Sequence, residues 1–267
     1  MNDTMEILTI NNLSIDYGGQ KSVVKNVNMS VNPQEIIGIV GESGSGKSTL
    51  IRAVLGLLPI GGRVSDGEII FKGRNLLDYS KQEWRELRGN RIAMIFQNSG
   101  AALNPTRKIG SQFIESIQCH FESSKAEAYA KAIDMLGKMR LPDAAGIMNS
   151  YTFQLSGGMK QRVAIAMAMT MEPELLLADE PTSALDVTIQ AQVVRQMMDL
   201  RKQFKTSIII VTHNMGVASY MSDKIGVMRQ GEFVEWGTRT QVINHPQHEY
   251  TLKLLSAIPE LGGRRLV

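Results

Sequence analysis

A chain of 267 residues, 43% hydrophobic and 21% charged, suits one large α/β domain or a domain with an inserted subdomain, and can bury a sizeable core. Its net charge of +3, without a dense basic run, is too weak to argue for a nucleic-acid partner, and none is expected; its single cysteine, Cys119, excludes an intrachain disulfide and a four-cysteine metal or iron–sulfur site within one chain. No stretch approaches the ~18 consecutive apolar residues of a membrane span and no signal peptide opens at Met1, so a soluble cytoplasmic chain, able to dock on a membrane protein, is expected.

Residues from about Glu6 to Val40 read as strands, with Val27, Met29 and Val31 alternating with polar positions. Gly18-Gly19 marks a hairpin or loop, and Tyr17 just before it is an aromatic that can stack on a nucleobase or pack at the strand end. The apolar run Glu35 to Val40 enters Gly41-Glu42-Ser43-Gly44-Ser45-Gly46-Lys47-Ser48-Thr49, which fits G-x-x-x-x-G-K-[ST]. A helical pattern from Thr49 to Leu55 leaves it. Strand, loop and helix are the context a phosphate-binding loop requires. Its glycines let the backbone wrap round phosphate oxygens, and its N–H groups and the helix N-terminus face the anion. Lys47 is expected to reach the β- and γ-phosphates and the Ser48 hydroxyl to bind Mg²⁺.

Gly61-Gly62 and Asp66-Gly67 read as turns, followed by a short strand from Glu68 to Gly73. Ser80 to Glu83 fits a capping box at the head of a helix. Ile92 to Phe96 reads as a buried strand ending at Gln97. From Asn98 to about Thr170 the pattern is helical: Ile109, Phe113, Ile114 and Ile117 recur at helical spacing, as do Ala128, Ala132, Met135 and Leu136. Asn104-Pro105 and Leu141-Pro142 break this stretch. Strands return at Glu174 to Ala178 and Ile208 to Val211, with a helix from Val187 to Phe204 between them. A last strand pair, Ile225 to Met228 and Glu232 to Trp236, precedes short helices at Thr240 to Ile243 and Tyr250 to Leu255. Apolar strands alternating with helices predict a mainly parallel sheet covered on both faces.

In such sheets ligands bind beyond the carboxyl ends of the strands. Strands here end in Gly41, in Gln97, in Asp179-Glu180 and in His213. Asp179 can hold Mg²⁺ through water and Glu180 can polarise an attacking water. The Gln97 amide can contact Mg²⁺ or that water, and His213 can touch the γ-phosphate. Leu155-Ser156-Gly157-Gly158-Met159-Lys160-Gln161-Arg162 sets two glycines and a serine hydroxyl at the head of a helix, a second anion-binding device.

Together these stretches resemble the ATPase subunits of ABC transporters. Gly41 to Thr49 matches that family's Walker A, Leu175 to Glu180 its Walker B, Leu155 to Arg162 its signature motif and Gln97 its Q-loop. Ser183-Ala184-Leu185-Asp186 matches the D-loop, His213 the switch histidine and Tyr17 the adenine-stacking aromatic. The resemblance covers essentially the whole chain. It implies an α/β fold of the P-loop NTPase type, with a mainly parallel core, an antiparallel β subdomain and an inserted helical subdomain. Residues 1–97 would form the first part of the core and 98–170 the helical insert. Residues 171–240 would complete the core, and 241–267 would be a tail. It further implies ATP and Mg²⁺ as ligands, with Ser48, Gln97 and Asp179 about the metal, Glu180 as general base, and His213 and Gln97 as further catalytic groups. ATP would sit between Walker A of one domain and Ser156, Gly157 and Gly158 of a second.

A narrower resemblance, to the peptide and nickel import ATPases, rests on Gly41 to Ser48, Leu103-Asn104-Pro105, Ala178 to Thr188 and the tail His245 to Pro259. It implies a bacterial importer of di- or oligopeptides, nickel or metal chelates, at the cytoplasmic face of the cell membrane. Its partners would be two transmembrane permease subunits, a second and different ATPase, and, indirectly, an external substrate-binding protein. Gln97-Asn98-Ser99 departs from the commoner pattern, where Asp-Pro follows the glutamine, and Glu249 replaces a frequent proline. Longer peptide-importer members carry a cysteine cluster beyond such a tail; no iron–sulfur cluster is expected here. The competing expectation is a soluble ABC ATPase acting on ribosomes or DNA.

Overall fold

The computed structural model describes residues 6–18, 22–183 and 185–257, together with 260–261 and 264–265. In chain order its first elements are β1 (Leu8–Tyr17), β2 (Val24–Val31), β3 (Ile36–Val40), α1 (Lys47–Val54), β4 (Gly62–Phe71), β5 (Arg74–Asn75), α2 (Lys81–Leu87) and β6 (Ile92–Ile95). Helices α3 (Ser99–Ala102), α4 (Ile109–Gln118), α5 (Lys125–Lys138), α6 (Ala144–Asn149) and α7 (Gly157–Met169) follow. Then come β7 (Leu175–Asp179), α8 (Val187–Phe204), β8 (Ser207–Thr212), α9 (Met215–Met221), β9 (Lys224–Arg229), β10 (Glu232–Thr238), α10 (Arg239–Asn244) and α11 (Glu249–Ser256). The chain divides into two compact units, one of residues 1–82 and 207–267, the other of 83–206.

The first unit holds an antiparallel sheet in the order β2-β1-β4-β5, and the run β10-β9-β3-β8. β3 is parallel to both β8 and β9, and β9 to β10 is antiparallel. Every residue of β3 and β8 is buried, as flanking parallel neighbours and covering helices demand. In β2 the buried residues are Val24, Val27, Met29 and Val31, so the alternation seen in the sequence is the half-buried face of an antiparallel sheet. α9, α10 and α11 share a core with β3 and β9, in which Met215, Val242, Ile243, Tyr250 and Leu255 meet Val40 and Val227.

One expected turn is not a turn. Asp66-Gly67 lies inside β4, whose ladder with β1 shifts register between Asn11 and Ser14. Asn12 has φ 49° and Gly67 φ 86°, and a Cβ on Gly67 would lie 2.5 Å from the Asn11 carbonyl oxygen. The glycine therefore serves a bulge in a long strand. At the predicted hairpin, Gly18 N–H donates to the Gly61 carbonyl at 3.2 Å; Gly19 lies outside the described residues.

The second unit is mainly helical, with β6 and β7 paired in parallel from Ile92–Leu175 to Ile95–Ala178. The predicted apolar stripes are buried: Ile109, Phe113, Ile114 and Ile117 on α4, and Ala128, Ala132, Met135 and Leu136 on α5. Asn104-Pro105 falls between α3 and α4, where Gln112 ties the loop by accepting from Asn104 N–H at 2.8 Å and donating to the Asn104 and Arg107 carbonyls at 3.0 Å. Ser124 caps α5, its hydroxyl accepting from Glu127 N–H while the Glu127 carboxylate accepts from Ser124 N–H.

Candidate functional site

In the first unit, Val40 of β3 and Thr212 of β8 are register partners on parallel strands. Gly41 and His213 therefore leave neighbouring strands at the same carboxyl edge. Gly41 has φ 154°, and a Cβ there would lie 2.1 Å from the Met228 carbonyl oxygen. The loop turns tightly from that point into α1. Gly46, at φ 102°, precedes Lys47, the first residue of the helix. Ser48 follows on the first turn, and both it and Thr49 are half-buried.

Lys47 is buried at 5% exposure and donates from Nζ to the Gly41 carbonyl at 2.8 Å, the Glu42 carbonyl at 2.7 Å and Ser45 Oγ at 3.2 Å. An ammonium group bound to several loop oxygens is held within the curve of the loop, where phosphate oxygens are ligands of the same kind. Glu42, Ser43 and Gly44 are exposed at the crest, and a Cβ on Gly44 would meet open space. Tyr17 ends β1 opposite Gly62, and a Cβ on Gly62 would lie 2.7 Å from the Tyr17 ring. The half-buried ring thus lies over a glycine. His213 is exposed directly before α9, which Asn214 caps by accepting from the N–H groups of Gly216 and Val217.

In the second unit, parallel pairing brings the ends of β6 and β7 together. Gln97 Nε2 donates to Glu180 Oε2 at 3.3 Å. Asp179, the last residue of β7, is fully buried, whereas Glu180 is half-buried. Glu180 has φ 47°. A non-glycine residue in the left-handed region is uncommon and costs about 1 kcal/mol or more, so a strained backbone sits where the chemistry was expected.

Ser156 caps α7 and its Oγ accepts from Met159 N–H at 3.3 Å. Gly157 has open space where its Cβ would be, whereas a Cβ on Gly158 would lie 2.9 Å from Ile189 Cγ2 of α8. The unit itself therefore requires glycine at 158 for packing and leaves 157 clear at the exposed helix head. Arg162 donates to the Gly158 carbonyl at 3.3 Å and to the Arg140 carbonyl at 3.4 Å, and burial pushes its guanidinium below the ordinary value. In the stretch expected as the D-loop, Ser183 is exposed and Asp186 caps α8, while Ala184 lies outside the described residues.

Sequence reasoning missed one contact. The N–H of Glu42 donates to the Tyr250 hydroxyl at 2.9 Å, across 208 positions of sequence. Tyr250 stood out only within a tail, and no spacing rule links it to the loop.

A buried lysine held among loop oxygens between a parallel strand and a helix, in an α/β fold, is an arrangement typical of nucleotide-binding proteins. Comparison with known proteins gives the family. The ABC transporter model matches residues 24–183. The chain is 42% identical to the dipeptide transport ATP-binding protein DppD of Lactococcus lactis, over 97% of this chain and 75% of that one. It is 44% identical to the probable D,D-dipeptide transport ATP-binding protein DdpD of Escherichia coli, over 98% of this chain and 81% of that one. Among solved structures, the ATP-binding cassette MJ0796, in a post-hydrolysis state bound to ADP and Pi, superposes with a TM-score of 0.77. It is 26% identical and the match covers 87% of this chain and 98% of that one. The chain belongs to the ABC transporter family and is an ATP hydrolase of the ABC type.

Proposed function

We propose that this chain is the ATP-hydrolysing subunit of a peptide importer. The observation that carries the substrate class is the identity, over nearly the whole chain, to subunits named for dipeptide and D,D-dipeptide transport. The nickel and metal-chelate alternatives draw no support from those names. The partners in this reading are two permease subunits, a second ATPase and, at one remove, an external binding protein. The chain works at the cytoplasmic face of the membrane.

Lys47, the loop N–H groups and the head of α1 hold the β- and γ-phosphates. Mg²⁺ takes one or two protein ligands and otherwise phosphate and water oxygens, so a hydroxyl and a carboxylate suffice. Among the described residues there is no cluster of three or more His, Cys, Asp or Glu that would make a dedicated cage. Ser48 and Asp179 are the donors that suit Mg²⁺, which would neutralise phosphate charge. Gln97, oriented against Glu180, steadies the water and that carboxylate. Glu180 takes the proton from the water, and His213 contacts the γ-phosphate. Tyr17 stacks on the adenine. Ser156, Gly157 and Gly158 meet the nucleotide of the second ATPase, which the clearance at Gly157 supports. With anion-binding helix heads on both sides, ATP joins the two domains and hydrolysis releases them.

Residues 98–170 act as the helical insert and carry the transmission surface. A groove of about 360 Å³ is lined there by Phe96, Ser99, Leu103, Cys119 and His120, among others. It adjoins the segment Gln97 to Gln112, on which a cytoplasmic loop of a permease subunit docks. Domain closure then moves that loop, and the peptide itself need not touch this chain.

The variant Glu180→Gln tests the chemistry. It keeps the shape of the side chain and the Gln97 contact but removes the base. It is expected to bind ATP as the parent does and to hydrolyse it about 100-fold or more slowly. It is also expected to favour the dimer in ATP during gel filtration. Turnover near that of the parent would remove Glu180 as the base.

A further inference from the structure

The peptide group that joins Gly41 to Glu42 is held at both ends. Its carbonyl accepts from Lys47 Nζ at 2.8 Å, and its N–H donates to the Tyr250 hydroxyl at 2.9 Å. The tyrosine is itself fixed. It is 5% exposed, packed with Val40, Val227, Val242, Ile243 and Leu255, and the Arg229 guanidinium lies 5.0 Å from the ring centroid. Its helix is tied down at the start as well. The Glu235 carboxylate on β10 accepts from the N–H groups of Gln247 at 2.8 Å and His248 at 3.2 Å. His248 Nδ1 in turn accepts from Tyr250 N–H at 3.0 Å. A rigid chain of contacts therefore runs from the edge strand through α11 to the first peptide of the phosphate loop.

From this geometry we infer that Tyr250 is a positioning residue for ATP binding. This rests on the reading of Gly41 to Thr49 as the phosphate loop. A peptide plane can rotate about the bonds on either side, and Gly41 is the residue least able to resist that rotation. The Tyr250 hydroxyl holds the plane so that the Gly41 carbonyl points at Lys47. The ammonium is thereby kept within the curve of the loop, ready to exchange loop oxygens for phosphate oxygens. Without the hydroxyl, the loop must be ordered when nucleotide binds, and affinity falls by that ordering cost.

The test measures Mg²⁺-dependent binding of a fluorescent ATP analogue to the full chain and three variants: Tyr250→Phe, Leu252→Ser and Lys47→Ala. Phenylalanine keeps the packed ring and removes only the hydroxyl. Leu252, on the same helix and half-exposed at 50%, serves as a surface control. Circular dichroism at the working temperature establishes that each variant is folded. Tyr250→Phe is expected to raise the dissociation constant about three- to tenfold, the worth of one neutral hydrogen bond, while Leu252→Ser stays at the parent value. Unchanged affinity in folded Tyr250→Phe, with binding lost in Lys47→Ala, overturns this inference and leaves the phosphate loop standing. Equal weakening by Leu252→Ser overturns it too, because the effect would then belong to the tail helix at large. If Lys47→Ala binds as the parent does, the loop reading fails and this inference falls with it.

Discussion

Gly41 carries two demands at once, a backbone conformation of φ 154° and a Met228 carbonyl oxygen 2.1 Å from where a Cβ would stand. Gly41→Ala is therefore expected to lower stability by about 1–3 kcal/mol, read from the urea midpoint, and to weaken ATP binding. An unchanged midpoint would show that the loop relaxes without cost. The motif made that glycine legible in the sequence, because its spacing to Lys47 implies the turn. Lys47 was equally legible in role, but its burial against the loop carbonyls was not. Gln97 and Glu180 were each visible as strand ends, and only the parallel register of β6 and β7 showed that their side chains meet at 3.3 Å. Tyr250 was visible as a tail residue alone, since a hydrogen bond across 208 positions leaves no local pattern.

Among the elements, α5 separates local stability from chemistry most cleanly. Ser124 and Glu127 form a reciprocal cap at its head, far in sequence from each motif. Ser124→Ala is expected to cost about 1 kcal/mol in thermal or urea unfolding and to leave ATP turnover unchanged. The hydrogen bonds from Ser124 hold the Glu127 carboxyl below its ordinary range. Only the carboxylate half of the cap titrates: its contribution is full above the carboxyl's unfolded pKa and is lost as pH falls through the lower folded value, while the Glu127 N–H to Ser124 Oγ bond is unaffected by pH. The parent should therefore lose that carboxylate part on acidification, and Ser124→Ala should show a shallower acid limb. Helices with a one-sided apolar stripe, such as α4 and α5, were legible because burial follows the 3.6-residue period. The Asp66-Gly67 step was misread because a bulge and a turn use the same residue types, and only pairing with β1 tells them apart.

For the molecule as a whole, the α/β class was legible from apolar strands alternating with helices, and the structure bears it out within each unit. What periodicity could not supply is the order β10-β9-β3-β8, which places Gly41 and His213 on neighbouring strand ends. No helix among the described residues is long and apolar enough to cross a membrane. The most direct test of the account is to tag this chain, extract native membranes gently in detergent, and identify the stoichiometric partners by mass spectrometry. Two multi-span proteins and a second ATPase are expected. Recovery of ribosomal or DNA-bound partners alone would contradict the transport assignment while leaving the ATP chemistry intact.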